Sequence, residues 1–181
     1  MQEIFIGEAI RQRRLALGLT QEELCDGLCE PATLSRIENG RQAPSRSRAN
    51  ALLQRLGLPS DRYYAILAPK EAEEDSLQKS INTHLDRFGR MLGEDKLQAQ
   101  RAALEELEKL DMVIDDDDHI TKQYVLAKRA VLGTVEKPYD FDTQLDMLLK
   151  AICMTVPGFN PQMTDGHLYS LDETEIINQI G

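Results

Sequence analysis

Two stretches decide the fold: Leu19-Thr-Gln-Glu-Glu-Leu24 and, after Leu28, Ala32-Thr-Leu-Ser-Arg-Ile-Glu-Asn-Gly40. Thr20 has the character of an N-cap, and Glu23, three residues on, completes a capping box. The short helix that follows buries Leu24 and Leu28. A turn around Cys29 and Glu30 leads to Pro31, which suits the first position of a new helix because its missing N–H costs nothing there. That helix turns Leu34 and Ile37 to one side and stops at Asn39-Gly40.

Two short helices joined by a turn of about four residues form a helix-turn-helix, whose second helix can lie in the major groove of DNA. Ala32, Thr33, Ser35 and Arg36 fall at the start and on the outer face of that second helix. Arginine can bond guanine in a bidentate fashion, and small side chains let a helix approach thymine methyls. Asn39 and Arg41 extend the expected DNA contacts, and Thr20 and Gln21 open the preceding helix where free N–H groups suit a phosphate.

Working outward, Ile6, Ile10, Arg14 and Leu17 form the stripe of a first helix ended by Gly18. After Arg41-Gln42-Ala43-Pro44, Ser45 caps a helix burying Leu52, Leu53 and Leu56, closed by Gly57 and Pro59. Ser60 caps a short fifth segment whose Tyr63, Tyr64, Ile66 and Leu67 close the domain against its core. The expectation is a five-helix head over residues 1–69.

The chain has 181 residues, 41% hydrophobic and 29% charged, and folds rather than staying disordered. Aromatic residues make up 5% with no Trp, too few for a large stacking surface. A net charge of -10 argues at first against a polyanionic partner. The average hides a split. Through Pro69 there are 9 Arg, no Lys and 8 Asp+Glu, a net of +1; from Lys70 onward the net is -11. Such asymmetry suggests two modules with different partners.

The second module, 70–181, reads as longer helices. Leu77, Ile81, Leu85, Phe88 and Leu92 form one stripe, and Leu97, Ala103, Leu104 and Leu107 the next. Ile120, Tyr124, Ala127 and Val131 form a third, and Phe141, Leu145, Leu148 and Ile152 a fourth. Ser170 and Glu173 make a capping box for a last helix with Leu171, Ile176, Ile177 and Ile180. Apolar residues on second faces (Val125, Leu126, Leu149, Cys153) suit stacked helices, so the module is expected to be an α-solenoid and the whole chain all-α. The last helix ends before a partner helix follows, which suggests a truncated chain or a dimer contact there.

Cys25 and Cys29, four residues apart, offer two metal or redox ligands in principle. No nearby His or Cys completes a zinc set, so they read as small core residues, as does Cys153. Asp115–Asp118 with His119 lacks the spacing and glycine turn of a calcium loop and reads as a solvated loop, with Asp118 capping the next helix. His84, His119 and His167 form no motif. No nucleophile elbow, phosphate loop or HExxH occurs, so neither enzyme activity, cofactor nor metal is expected. No run of about 18 apolar residues spans a membrane. Polar Gln2 and Glu3 follow Met1, Arg11 interrupts any export stretch, and the expected compartment is the cytoplasm.

The motifs Arg14-x-x-x-Gly18-Leu-Thr-Gln-x-x-Leu24 and Ser35-Arg-Ile-Glu-Asn-Gly40 make the segment from Ile6 to about Leu67 resemble the Xre, or lambda-repressor-like, DNA-binding domain. The resemblance implies an ion pair between Arg14 and Glu38. Leu24-Cys-Asp-Gly-Leu-Cys29 with Ser35-Arg-Ile-Glu38 is similar, more narrowly, to the Rgg/PlcR-type regulators of Firmicutes. In that group a tetratricopeptide-like helical domain follows the head and often senses a secreted peptide, with inner-helix asparagines holding the peptide backbone. Asn178 and, less directly, Asn82 are the matching candidates. Glu30-Pro31 departs from the small polar residues the group tends to have there, and a carboxylate at that corner repels phosphate.

The reading is a cytoplasmic, dimeric transcriptional regulator, binding a palindromic double-stranded operator through its head and answering to a peptide effector through its acidic body. The alternative is a protein-interaction adaptor or antitoxin-like module, distinguished by the salt dependence of its binding to DNA.

Overall fold

The computed structural model describes residues 6–59, 69–134, 138–163 and 166–181. Every regular element among them is helical: α1 (Ile6–Ala16), α2 (Gln21–Cys25), α3 (Pro31–Glu38), α4 (Arg46–Arg55), α5 (Pro69–Arg90), α6 (Gly93–Val113), α7 (His119–Leu132), α8 (Phe141–Cys153) and α9 (Leu171–Ile180). The expected fifth head segment, with Ser60, Tyr63, Tyr64, Ile66 and Leu67, lies outside the described residues.

The helices assort into two compact units, one within Met1–Ala65 together with Ile152–Gly181, the other within Ile66–Ala151. Residues 152–181, expected with the second module, therefore group with the head. The reason is chemical. α4 carries a buried arginine, Arg55, whose charge is met by Glu173 of α9 at 2.8 Å. Ile176 of α9 is buried as well. Ile176 thus packs within its own unit, whereas Leu171 at the start of the helix is exposed.

In the first unit, α1 to α4 enclose Ile10, Leu24, Leu28, Leu34, Ile37, Leu52, Leu53 and Leu56, each at most 1% exposed. Burying a side chain of this size stabilises by roughly 1.5–3 kcal/mol. α1 is closed by the bonds Leu19 N to Arg14 O and Gly18 N to Leu15 O, and α3 by the equivalent pair Arg41 N to Arg36 O and Gly40 N to Ile37 O. α2 begins with the expected capping box of Thr20 and Glu23. At Gly7 a Cβ would overlap the Ile37 carbonyl oxygen, so α1 and α3 meet backbone to backbone.

In the second unit α5 and α6 form an antiparallel hairpin. Ser80 donates to Glu106 at 2.8 Å, and nearer the tip the Lys96 ammonium sits 4.6 Å from the centre of the Phe88 ring. Ile81, Ala103, Leu107 and Leu110 fill the seam, with Tyr124, Val125 and Leu132 of α7 packed against it. The Tyr124 hydroxyl donates to Asn82 of α5 at 2.9 Å. Two buried amides bond carbonyls at helix ends: Gln100 to Leu132 O, and Gln123 to Ala151 O. Such carbonyls lack partners within their own helix. Asp118 caps α7 by accepting from Thr121 N, and Asp115, Asp116 and Asp117 are exposed.

Several expected core residues are exposed: Leu17, Leu92, Phe141, Leu171 and Cys153. Each lies at or just beyond a helix end, where the apolar period runs on past the last packed turn. Cys153 is the clearest correction, since it was expected in the core.

Candidate nucleic-acid interface

The face expected to meet DNA is built on α3. Leu34, Ile37 and Glu38 are buried, Thr33 and Ser35 are half-buried, and Ala32 and Arg36 are exposed. Residues four apart share one helix face, so Ala32 and Arg36 point outward together. Pro31 holds the first helical position, and Glu30 occupies the N-cap without making a side-chain cap bond. Asn39 and Arg41 are exposed after the helix. The Asn39 amide donates back to Ser35 O at 2.7 Å, so it also closes the helix end.

α3 is seated by a charged network. Arg14 Nε and Nη2 donate to the two oxygens of Glu38 at 2.6 and 2.9 Å, and Nη1 donates to Leu19 O at 2.7 Å. The bond to Glu38 raises the pKa of Arg14 further, against the smaller effect of burial. Gln21 adds a third bond to the same carboxylate at 2.7 Å. One glutamate of α3 is thereby tied to α1 and to the first residue of α2. Gln21, expected at a phosphate, donates from its side-chain amide to Glu38.

The start of α2 is also less open to an anion than its sequence suggests. The Glu23 carboxylate accepts from Thr20 N at 2.7 Å, and the Thr20 hydroxyl oxygen accepts from Glu23 N. These bonds hold the Glu23 pKa below its ordinary value. Glu22 and Glu23 place two acids in the first turn. Arg36 on α3 and Arg41 just after it are exposed, and Arg46 and Arg48 open α4.

A second buried arginine supports the turn between α2 and α3. Arg55 Nη1 donates to Asp26 O at 2.6 Å and Leu24 O at 3.2 Å, while Nη2 donates to Glu173 Oε1 at 2.8 Å and Thr155 O at 3.3 Å. Glu173 uses its other oxygen to accept from Ser170 N, completing the capping box of α9. Gly27 lies in this turn at φ +69°, and a Cβ there would overlap the Thr155 carbonyl oxygen. Nothing in the local pattern points to Arg55. The one available signal was an arginine amid the apolar positions of α4, Leu52, Leu53 and Leu56.

Cys25 is buried and its thiol pKa is pushed up to about 12, chiefly by burial; Cys29 is half-buried and also raised by burial. Elevated thiol pKa values suit structural cysteines. Among the described residues no three His, Cys, Asp or Glu side chains gather to hold a metal ion, and no helix is long and apolar enough to cross a membrane. Asn178 is exposed on α9, in the unit of the head, and Asn82 is engaged with Tyr124. The second unit has an open cleft lined by Arg101, Leu104, Glu105, Glu108, Arg129 and Tyr139.

Residues 10–62 match the family model described as helix-turn-helix, so the head carries a helix-turn-helix domain. Among solved structures, the chain is similar to that of Bacillus thuringiensis PlcR in complex with the peptide PapR7 and DNA. The identity is 17% over 87% of this chain and 68% of that one, at a TM-score of 0.31. No curated protein matches the chain.

Proposed function

We propose that the protein is a sequence-specific, DNA-binding transcriptional regulator whose α3 enters the major groove. One observation carries this reading: within the matched helix-turn-helix segment, α3 buries Leu34, Ile37 and Glu38 and turns Ala32 and Arg36 outward. Arg36 reads a base, Thr33 and Ser35 sit at the groove wall, and Arg41 engages the backbone. Thr20, Gln21 and Asn39 act at the edge of this surface through main-chain and side-chain groups that also hold the helices together.

The finer reading is a homodimer whose two heads meet a palindromic operator, with half-sites about one helical turn or a multiple apart. A peptide effector fits this reading. The cleft with Arg101, Arg129, Glu105 and Glu108 offers both signs of charge for its termini, and is a better candidate than the exposed Asn178. The test is selection of bound duplexes from a random library by the full chain, followed by titration across salt concentrations. Enrichment of a two-fold sequence with a steep salt slope is the expected result. Retention of no duplex at low salt would overturn the reading in favour of a protein-interaction module.

A further inference from the structure

We infer that Arg55 and Glu173 are positioning residues for base reading, and that segment 152–181 is a working part of the DNA-binding head. The inference rests on the DNA reading above. The turn between α2 and α3 sets the direction in which α3 leaves the head. Within it, Leu28 N and Cys29 N both bond Cys25 O, at 2.8 and 3.1 Å. The carbonyls of Leu24 and Asp26 accept from Arg55.

The guanidinium is fully buried and forks between two parts of the chain. One nitrogen serves the turn; the other serves Thr155 O and Glu173. Glu173 is fixed in turn by its role in the capping box of Ser170, at the N-terminus of α9, where the helix dipole favours a carboxylate. A further tie is the bond from Leu171 N to the side-chain oxygen of Gln54, the residue beside Arg55. Loss of the Glu173 charge leaves a buried cation without its counter-ion, and Arg55 must then move or take up water. Either change releases the turn carbonyls. Base-edge hydrogen bonds are short and directional, whereas attraction to the phosphates is long-ranged and tolerant of small displacements. Loosening the turn therefore harms selectivity before it harms general affinity.

The experiment compares the full chain with Glu173→Gln and Gln54→Ala on a duplex selected from a random library and on an unselected duplex of equal length. Binding is measured well below each variant's melting temperature. Glu173→Gln is expected to lose roughly tenfold or more on the selected duplex, with little change on the unselected one. Gln54→Ala, which buries no orphan charge, is expected to show a smaller loss with the same split. Amide exchange at Leu28 and Cys29 should rise in both variants, while Leu52 and Leu53 in α4 stay protected. Three outcomes overturn the inference: a lowered melting temperature with selective binding intact, equal weakening on both duplexes, or unchanged exchange in the turn. A wild-type chain that enriches no duplex removes the DNA reading and this inference with it.

Discussion

Among the described residues of the head, two arginine–glutamate pairs work differently. Arg14 and Glu38 join α1 to α3, with side chains 9% and 2% exposed, and Gln21 shares the carboxylate. Arg55 and Glu173 are at 0% and 1%, and the guanidinium also serves three main-chain carbonyls. The first pair fastens α3 itself. The second fastens the turn leading into it, using a carboxylate 118 residues away in the chain. The first guanidinium serves one main-chain carbonyl and the second serves three, so the two should differ in cost.

That contrast orders the expected effects. Arg55→Ala should be the most damaging, destabilising by about 3–5 kcal/mol because Glu173 stays buried without its counter-ion; denaturant unfolding of the full chain measures it. Arg14→Ala should cost less, roughly 2–3 kcal/mol, since Glu38 keeps the bond from Gln21 and one main-chain carbonyl, not three, loses its donor. Equal losses in the two variants would dissolve the distinction. Arg36→Ala should leave melting unchanged and weaken selected-duplex binding by about 1–3 kcal/mol. An equal loss on unselected DNA would make Arg36 a phosphate contact.

The smallest effect is a pH dependence confined to the second pair's surroundings. His167 lies 3.7 Å from the Asp26 carboxylate, and its pKa is lowered by burial first and by Arg55 second, against the opposite pull of Asp26 and Glu173. The folded state therefore holds this proton less readily than the unfolded state. Its stabilising contribution is fully present above the ordinary histidine range, near pH 6.5, and is lost as pH falls through the lowered value. The melting temperature of His167→Gln should fall less steeply than that of the wild type over this window, and parallel curves would exclude His167 as the source.

The same contrast explains what could be read from the chain. Arg14 and Glu38 belong to one compact motif, and the inward turn of Leu34 and Ile37, the capping boxes at Thr20 and Ser170, and the closure of α1 at Gly18 are local events with local signatures. Arg55, Glu173, Gln100 and Gln123 are buried polar residues whose partners are distant in sequence, and apolar periodicity is blind to them. Glu173 was visible as a capping residue, but not as a counter-ion. Apolar periods also overran helix ends, as Leu92, Phe141 and Leu171 show. Counting charge by sequence position had a related fault. Residues 152–181 carry 4 acids and no Lys or Arg, so the unit that contains the head is itself net acidic, although the stretch through Pro69 is +1.

The bond between Arg55 and Glu173 also has a meaning in time. Chains emerge from the ribosome N-terminus first, at about 5–20 residues per second. The turn of the helix-turn-helix is thus made several seconds or more before the carboxylate that secures it. During that interval Arg55 lacks Glu173, and the turn ahead of α3 lacks the support of residues 152–181. Under the proposed function, selective DNA reading is acquired late in synthesis, after the intervening helices have been made.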